Sequence, residues 1–123
     1  SNDVCMYGVP TAKYVVNARV VDPEGNPIKG IEVIVSEGED FEDESARLLE
    51  TTTNDDGTLV ENITHGWPLM KLYVRFTDVD GEENGGDFQS VTITPQDMVQ
   101  ESQFDDMPAT RLEYKATIKL KKK

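Results

Sequence analysis

An acidic stretch with three glycines, residues 78–87, contains the side chains best suited to bind a metal ion. Calcium takes six to eight oxygen ligands, and glycines allow backbone carbonyls to turn toward the ion. The spacing differs from that of an EF-hand, because Gly81 would stand at position four of the loop instead of six. The sequence therefore predicts a calcium site here, with an acidic, solvated hairpin as the alternative. The oxygen-bearing candidates are Asp78, Asp80, Asn84 and Asp87.

The segment 64–68 contains the single histidine and the single tryptophan of the chain, His65 and Trp67. Tryptophan is a frequent anchor of binding sites, so a binding patch is one hypothesis. The other is that Trp67 caps one end of the core while His65 lies in a loop. The chain has no Gly-x-Ser-x-Gly elbow, and nothing places a carboxylate pair across a cleft. We therefore predict that the protein is not an enzyme; a small hydrolase built around His65 is the alternative.

Cys5 is the single cysteine, which excludes an internal disulfide framework and a zinc site built from several cysteines. A cysteine that is to receive a lipid needs small residues directly before it, whereas Asp3 and Val4 precede Cys5. No histidine or basic residue is near it in sequence to lower the pKa of its thiol. We expect a free, packed or partner-paired thiol.

The composition limits the class of protein. The chain has 123 residues, with 24 acidic and 12 basic side chains and a formal net charge of −12. This length fits one domain, which we place at residues 13–123 after an N-terminal segment, residues 1–12. The acidic balance argues against a nucleic-acid partner and against a surface for anionic membranes. No apolar run approaches the 18 residues of a transmembrane helix.

Apolar residues recur with period two, which predicts strands. The clearest strand spans residues 111–120, and frequent turn signals separate about seven strands in total. This pattern is typical of an all-β, antiparallel, immunoglobulin-like or prealbumin-like sandwich. One short helix is expected to begin after Thr94, with Pro95 at its first position, and to end at about Ser102.

Three further expectations concern the surface. The acidic residues 37–47 should form a solvated loop. The lysine-rich segment 119–123 should be a frayed, solvated strand end. An outward-facing apolar stripe that includes Val15, Val21 and Ile34 could be the seam of a partner protein or of a homodimer, so we expect a monomer or a weak dimer.

Two motifs resemble carboxypeptidase-regulatory-like domains. Residues 18–35, ARVVDPEGNPIKGIEVIV, are similar to the pattern G-x-V-x-D-x-x-G-x-P-[LI]-x-G-[AV]-x-V, with Ala18 in place of its glycine. Residues 51–59, TTTNDDGTL, are similar to T-x-T-D-x-D-G-x-[FY]. The resemblance implies a transthyretin-like sandwich of seven strands. From their own chemistry, residues 22–27 and 55–57 are predicted to form tight turns.

A narrower resemblance adds a location. The segments CMYGVP at 5–10, DVDG at 78–81 and NGG at 84–86 are similar to small lipoproteins of Bacteroides-type bacteria that are associated with radical-SAM enzymes. This resemblance implies an upstream signal and an acylated cysteine, with the domain tethered at the periplasm or cell surface. The expected function is a non-catalytic β-sandwich module that binds a protein or glycan partner or has a structural role. A calcium-stabilised interaction domain is the alternative.

Overall fold

The computed structural model describes residues 11–66, 72–104 and 110–123. Within these ranges, eight strands alternate with turns and with two single-turn 3-10 helices. None of the described helices is long and apolar enough to cross a bilayer. The strands are β1 (Thr11–Val21), β2 (Ile31–Ser36), β3 (Arg47–Thr52), β4 (Thr58–Gly66), β5 (Tyr73–Asp78), β6 (Val91–Ile93), β7 (Val99–Phe104) and β8 (Thr110–Lys119). The 3-10 helices are Glu44–Ala46 and Pro95–Asp97.

The strands form two four-stranded sheets, which confirms the predicted all-β sandwich. One sheet has the order β4-β1-β8-β7 and the other has the order β3-β2-β5-β6. β1 runs parallel to β8, whereas the remaining pairs are antiparallel. The expectations of seven strands and of wholly antiparallel pairing were therefore wrong for the described residues. A parallel pair requires a long crossover, and here that crossover passes through the second sheet.

The core lies between the sheets and is built from alternate residues of the central strands. In β1 the inward residues are Tyr14, Val16, Ala18 and Val20, each at most 2% exposed. They face a second apolar layer, and the rings of Tyr14 and Tyr114 stack with their centroids 6.3 Å apart. Each large side chain buried in this way contributes about 1.5–3 kcal/mol. The facing layer includes Ile31, Val33, Val35, Val74 and Phe76.

The predicted helix after Thr94 begins as expected but is much shorter. The backbone N–H and the hydroxyl of Thr94 both donate hydrogen bonds to Asp97 Oδ2, at 2.9 and 3.3 Å. The helix ends at Asp97, and β7 begins at Val99 and pairs with β8. The predicted end at Ser102 was therefore wrong. A one-turn helix gains little on its own, so pairing with the neighbouring strand decides the conformation of residues 99–104.

The predicted exposed stripe is also wrong, because its three residues are buried. Val15, Val21 and Ile34 are at most 3% exposed, although Val15 and Ile34 point away from the space between the sheets. Arg75 is the cross-strand neighbour of Ile34, and its guanidinium carbon lies 4.6 Å from the centre of the Phe41 ring. Phe41 is itself only 7% exposed. The acidic segment 37–47 therefore packs its one aromatic side chain on this sheet instead of being fully solvated.

Candidate functional site

One end of the sandwich gathers three of the segments singled out from sequence: the turn 22–30, the turn 53–58 and the loop 78–87. They contribute to one open cavity of about 440 Å³. We call this region the turn end. Its cavity is lined by Asp22, Asn26, Pro27, Ile28, Lys29, Asp55, Asn84 and Gly85.

Asp22 organises the first turn with its carboxylate. Its Oδ1 accepts hydrogen bonds from the backbone N–H groups of Glu24 and Asn26, at 2.9 and 2.8 Å. Its Oδ2 accepts a third from the side-chain amide of Asn26 at 3.2 Å. These bonds favour the ionised form, so the pKa of Asp22 is lowered, chiefly by the backbone N–H of Asn26. The predicted turn is confirmed, and the carboxylate is occupied in holding it.

The lowered pKa makes the contribution of Asp22 to stability depend on pH. Asp22 is harder to protonate in the folded chain, so its stabilisation is complete above the ordinary value of 3.8 and disappears as the pH falls through the folded pKa. Asp22→Asn keeps an oxygen for the two backbone N–H groups but removes the charge. We expect urea unfolding to show a difference in stability between the wild type and this variant that is largest near pH 7 and shrinks below about pH 4. A difference that stays constant with pH would contradict this role.

Thr53 and Gly57 connect the turn 53–58 to the turn 22–30 and to the strand before it. The buried Thr53 hydroxyl donates to the carbonyl of Ile28 at 2.7 Å and accepts from the N–H of Ile31 at 3.0 Å. Gly57 adopts φ +75°, and its carbonyl accepts a hydrogen bond from the N–H of Val20 at 2.8 Å. The residues that carry the second motif are therefore engaged in joining two turns.

In the acidic loop 78–87, the carboxylates of Asp78 and Asp80 accept hydrogen bonds from the loop and from the residue that follows it. Asp78 accepts from the N–H groups of Asp80 and Phe88, both at 3.1 Å. Asp80 accepts from the side-chain amide of Asn84 at 2.6 Å, and Asn84 is in the left-handed region at φ 56°. Burial raises the pKa of Asp78, and the neighbouring Asp80 adds to the shift.

The fourth candidate ligand, Asp87, is paired with a lysine. Its carboxylate lies 3.5 Å from Lys123 Nζ, and its carbonyl accepts from the N–H of Lys123 at 3.0 Å. The N–H of Gln89 donates to the carbonyl of Lys121 at 2.8 Å. The backbone of Lys121 and Lys123 therefore pairs with residues 87–89, so the expectation of a frayed end was wrong. The side chains of residues 121–123 are exposed, as a solvated end requires.

Of the four predicted calcium ligands, Asp80 contacts both Asp78 and Asn84, whereas Asp87 is paired with Lys123. Among the described residues, no three His, Cys, Asp or Glu side chains are close enough to hold a metal ion. Calcium binding stays a prediction. It requires the melting temperature to rise in millimolar calcium and to return with a chelator, by mass action. An unchanged melting temperature would contradict it.

A second surface was missed by the sequence reasoning. On the sheet β4-β1-β8-β7, the face turned away from the core carries a shallow groove of about 300 Å³. We call this surface the outer face. Its polar residues come from alternate positions of β1 and β8. The sequence alone does not show that these residues lie side by side, because their proximity depends on the parallel pairing of β1 and β8. The groove is lined by Asn17, Arg19, Val99, Lys115, Ala116 and Thr117.

The remaining sequence-predicted residues lie outside what the structure describes. Cys5 and Trp67 fall in undescribed segments, and only the backbone of His65 is described, within β4. The binding-patch and hydrolase hypotheses that depend on His65 and Trp67 stay predictions.

Comparisons with known proteins give the fold. The sequence matches no protein-family model and no curated protein. The structure is similar to 3-chlorocatechol 1,2-dioxygenase from Rhodococcus opacus, with a TM-score of 0.59 and 11% identity over 90% of this chain and 60% of that one. It is similar to catechol 1,2-dioxygenase from Acinetobacter radioresistens, with a TM-score of 0.61 and 15% identity over 96% and 54%. Hydroxyquinol 1,2-dioxygenase from Pseudomonas putida gives a TM-score of 0.59 and 11% identity over 91% and 57%.

These likenesses concern architecture and not chemistry. The chain spans between 54% and 60% of the length of these three enzymes, at identities of 11–15%. A shared sandwich at such low identity shows the fold alone, because one fold supports many unrelated functions. The chain is an all-β sandwich whose scaffold is also found within these larger proteins.

Proposed function

We propose that this chain is a non-catalytic β-sandwich module of a bacterial envelope lipoprotein, with a binding or structural role. Its type is carboxypeptidase-regulatory-like, that is, transthyretin-like or prealbumin-like. The observation that carries the proposal is the use of the motif residues. The carboxylate of Asp22 accepts hydrogen bonds from Glu24 and Asn26, and the hydroxyl of Thr53 bonds to the backbone of Ile28 and Ile31. Gly57 adopts a positive φ at the point where the two turns pack closely.

The buried side chains and the cavities support a role without catalysis. The largest fully buried side chains of the described residues are apolar, with Ser36 the one polar member of that set. Both described cavities at the turn end are open and are lined mainly by turn residues. Dioxygenase activity belongs to the structural neighbours and is not proposed here.

The location at the envelope rests on the resemblance to small lipoproteins. A lipid anchor on a cysteine upstream of residue 3 would tether the domain, while its acidic loops stay in solvent. A module held in this way needs a surface for its partner, and the outer face has the most exposed large apolar side chain among the described residues, Val99.

The anchor is tested by metabolic labelling. The protein is expressed from its complete coding sequence in a Gram-negative host that is fed an alkyne-tagged fatty acid. We expect the label on the protein and the protein in the membrane fraction. The variant Cys5→Ser should keep the label, because Asp3 and Val4 do not prepare Cys5 for acylation. An unlabelled protein in the cytosolic fraction would contradict the envelope location.

A further inference from the structure

The outer face has a charge opposite to that of the whole protein. The chain has twice as many acidic as basic residues, yet the outward positions of β1 and β8 carry Arg19, Lys115 and Lys119. Two acids stand at outward register positions, Glu113 on β8 and its cross-strand neighbour Glu101 on β7, and Glu113 accepts a hydrogen bond from Asn17 at 3.0 Å. The outer face is therefore a basic surface on an acidic protein.

Two of these basic groups are available to a partner. Arg19 and Lys119 are exposed, and neither forms an ion pair with a residue that the structure describes. Lys119 follows Lys115 and Thr117 along the same face of β8, while Arg19 is the cross-strand neighbour of Thr117. The charge of Arg19 acts on the nearby carboxylate of Asp56 without an ion pair between them, so its five donors stay available for an incoming acidic group.

Exposed apolar side chains flank the basic centre. The strand register places Val60, Asn17, Lys115 and Val99 in one row across all four strands. The outermost members, Val60 and Val99, are 59% and 66% exposed, and they account for two of the three exposed large apolar residues described. With strands about 4.8 Å apart, the row is about 14 Å wide. A partner that covers this row contacts Lys115 between the two exposed valines.

We propose that the outer face binds an acidic segment of a partner protein, in which carboxylates alternate with apolar side chains. This inference rests on the proposed binding role and names the partner's chemistry. The carboxylates meet Arg19 and Lys119, while the apolar side chains cover Val60 and Val99. Charge complementarity of this kind steers association and selects against basic partners.

Other occupants fit the surface less well. Two copies of the chain facing each other through this face would bring Arg19 and Lys115 of both copies into one symmetric, repulsive interface. An acidic polysaccharide would match the charges, but it would bury the two valines against hydroxyl-rich sugar. The described part of the face has no aromatic ring on which a sugar could stack.

The test is a titration of the isotopically labelled protein with a synthetic octapeptide of alternating glutamate and valine, followed by amide chemical shifts. We expect saturable shifts at Asn17, Val99 and Thr117, and weaker binding at high salt. Arg19→Glu should raise the dissociation constant about tenfold or more. Lys29→Glu, at the turn end, changes the net charge equally and should leave the constant within about twofold, because long-range attraction alone is small when screened.

A second pair of variants tests the apolar contact without changing charge. Val99→Ser should weaken binding of the octapeptide several-fold, whereas Val79→Ser, which alters an equally exposed valine in the loop 78–87, should not. Thermal melting establishes that each variant is folded.

Four results would overturn the proposal. The first is that Arg19→Glu and Lys29→Glu raise the dissociation constant of the octapeptide equally. The second is that a peptide with serine in place of valine binds as tightly as the octapeptide. The third is binding of polygalacturonate but not of the octapeptide, which would indicate a glycan partner. The fourth is self-association of the protein with shifts on the same face, which would indicate a second copy. None of these results alters the fatty-acid labelling, so failure here is distinct from failure of the proposed envelope location.

Discussion

Replacing Gly57 with alanine is expected to lower the free energy of unfolding by about 3–5 kcal/mol. Gly57 has φ +75°, a region in which an L side chain is strained. An added methyl carbon would lie 2.7 Å from the carbonyl oxygen of Val20 and 2.8 Å from Cβ of Pro27. Val20 belongs to the end of β1 and Pro27 to the turn that follows it, so the methyl group can be accommodated only by moving the turn 53–58 away from both.

Gly25 provides the matched control for this substitution. It also has a positive φ, +89°, but an added Cβ would meet nothing within 4 Å. Gly25→Ala should therefore cost only the backbone strain, about 1–2 kcal/mol. Urea unfolding of the two variants gives both losses of stability, and their difference is the cost of crowding at Gly57 beyond backbone strain. Equal losses of stability would show that the contact between the turns is not close, and would contradict the proposed connection.

Thr53→Val is expected to destabilise the fold by about 2–4 kcal/mol. The substitution preserves the shape of the side chain but leaves the carbonyl of Ile28 without its 2.7 Å donor and the N–H of Ile31 without its 3.0 Å side-chain acceptor. Thr53 is 4% exposed, so water cannot replace the hydroxyl without opening the turn. Leaving buried polar groups unpaired costs more than an average hydrogen bond contributes.

Two controls separate the hydroxyl from the methyl group. Thr53→Ser retains the hydroxyl and should cost about 1 kcal/mol, the value of one buried methyl group. Thr51→Val removes a hydroxyl that is half-buried and makes a 3.4 Å contact with Glu61, and it should change stability by less than about 1 kcal/mol. A Thr53→Val variant as stable as Thr53→Ser in denaturant unfolding would refute the role given to the hydroxyl.

Local chemistry was enough to predict the turns and most strands. Asp22 and Gly57 act through groups within a few residues or through backbone angles, which turn preferences describe directly. The alternation of apolar and polar residues in β8 also predicted a strand, because one face of the strand packs on the core. These predictions depended on short-range patterns, and the structure confirms them.

The sequence-based predictions were wrong where contacts between distant parts of the chain determine burial or strand formation. Val15 and Ile34 are apolar at outward positions, and only the folded chain shows that both are covered. Residues 99–104 carry no strong preference, so pairing with β8 determines that they form a strand. The outer face was missed for the same reason: its residues come from β1 and β8, which lie far apart in sequence and meet in parallel.

Cross-linking in cells shows whether this module binds a protein partner at the envelope. A photo-reactive amino acid is placed at position 99 of the complete, membrane-attached protein, with the same group in place of Val79 as the control, since both valines are well exposed. We expect a discrete protein adduct from position 99 that Arg19→Glu abolishes, and none from position 79. Equal adducts from both positions, or no adduct from position 99, would contradict it.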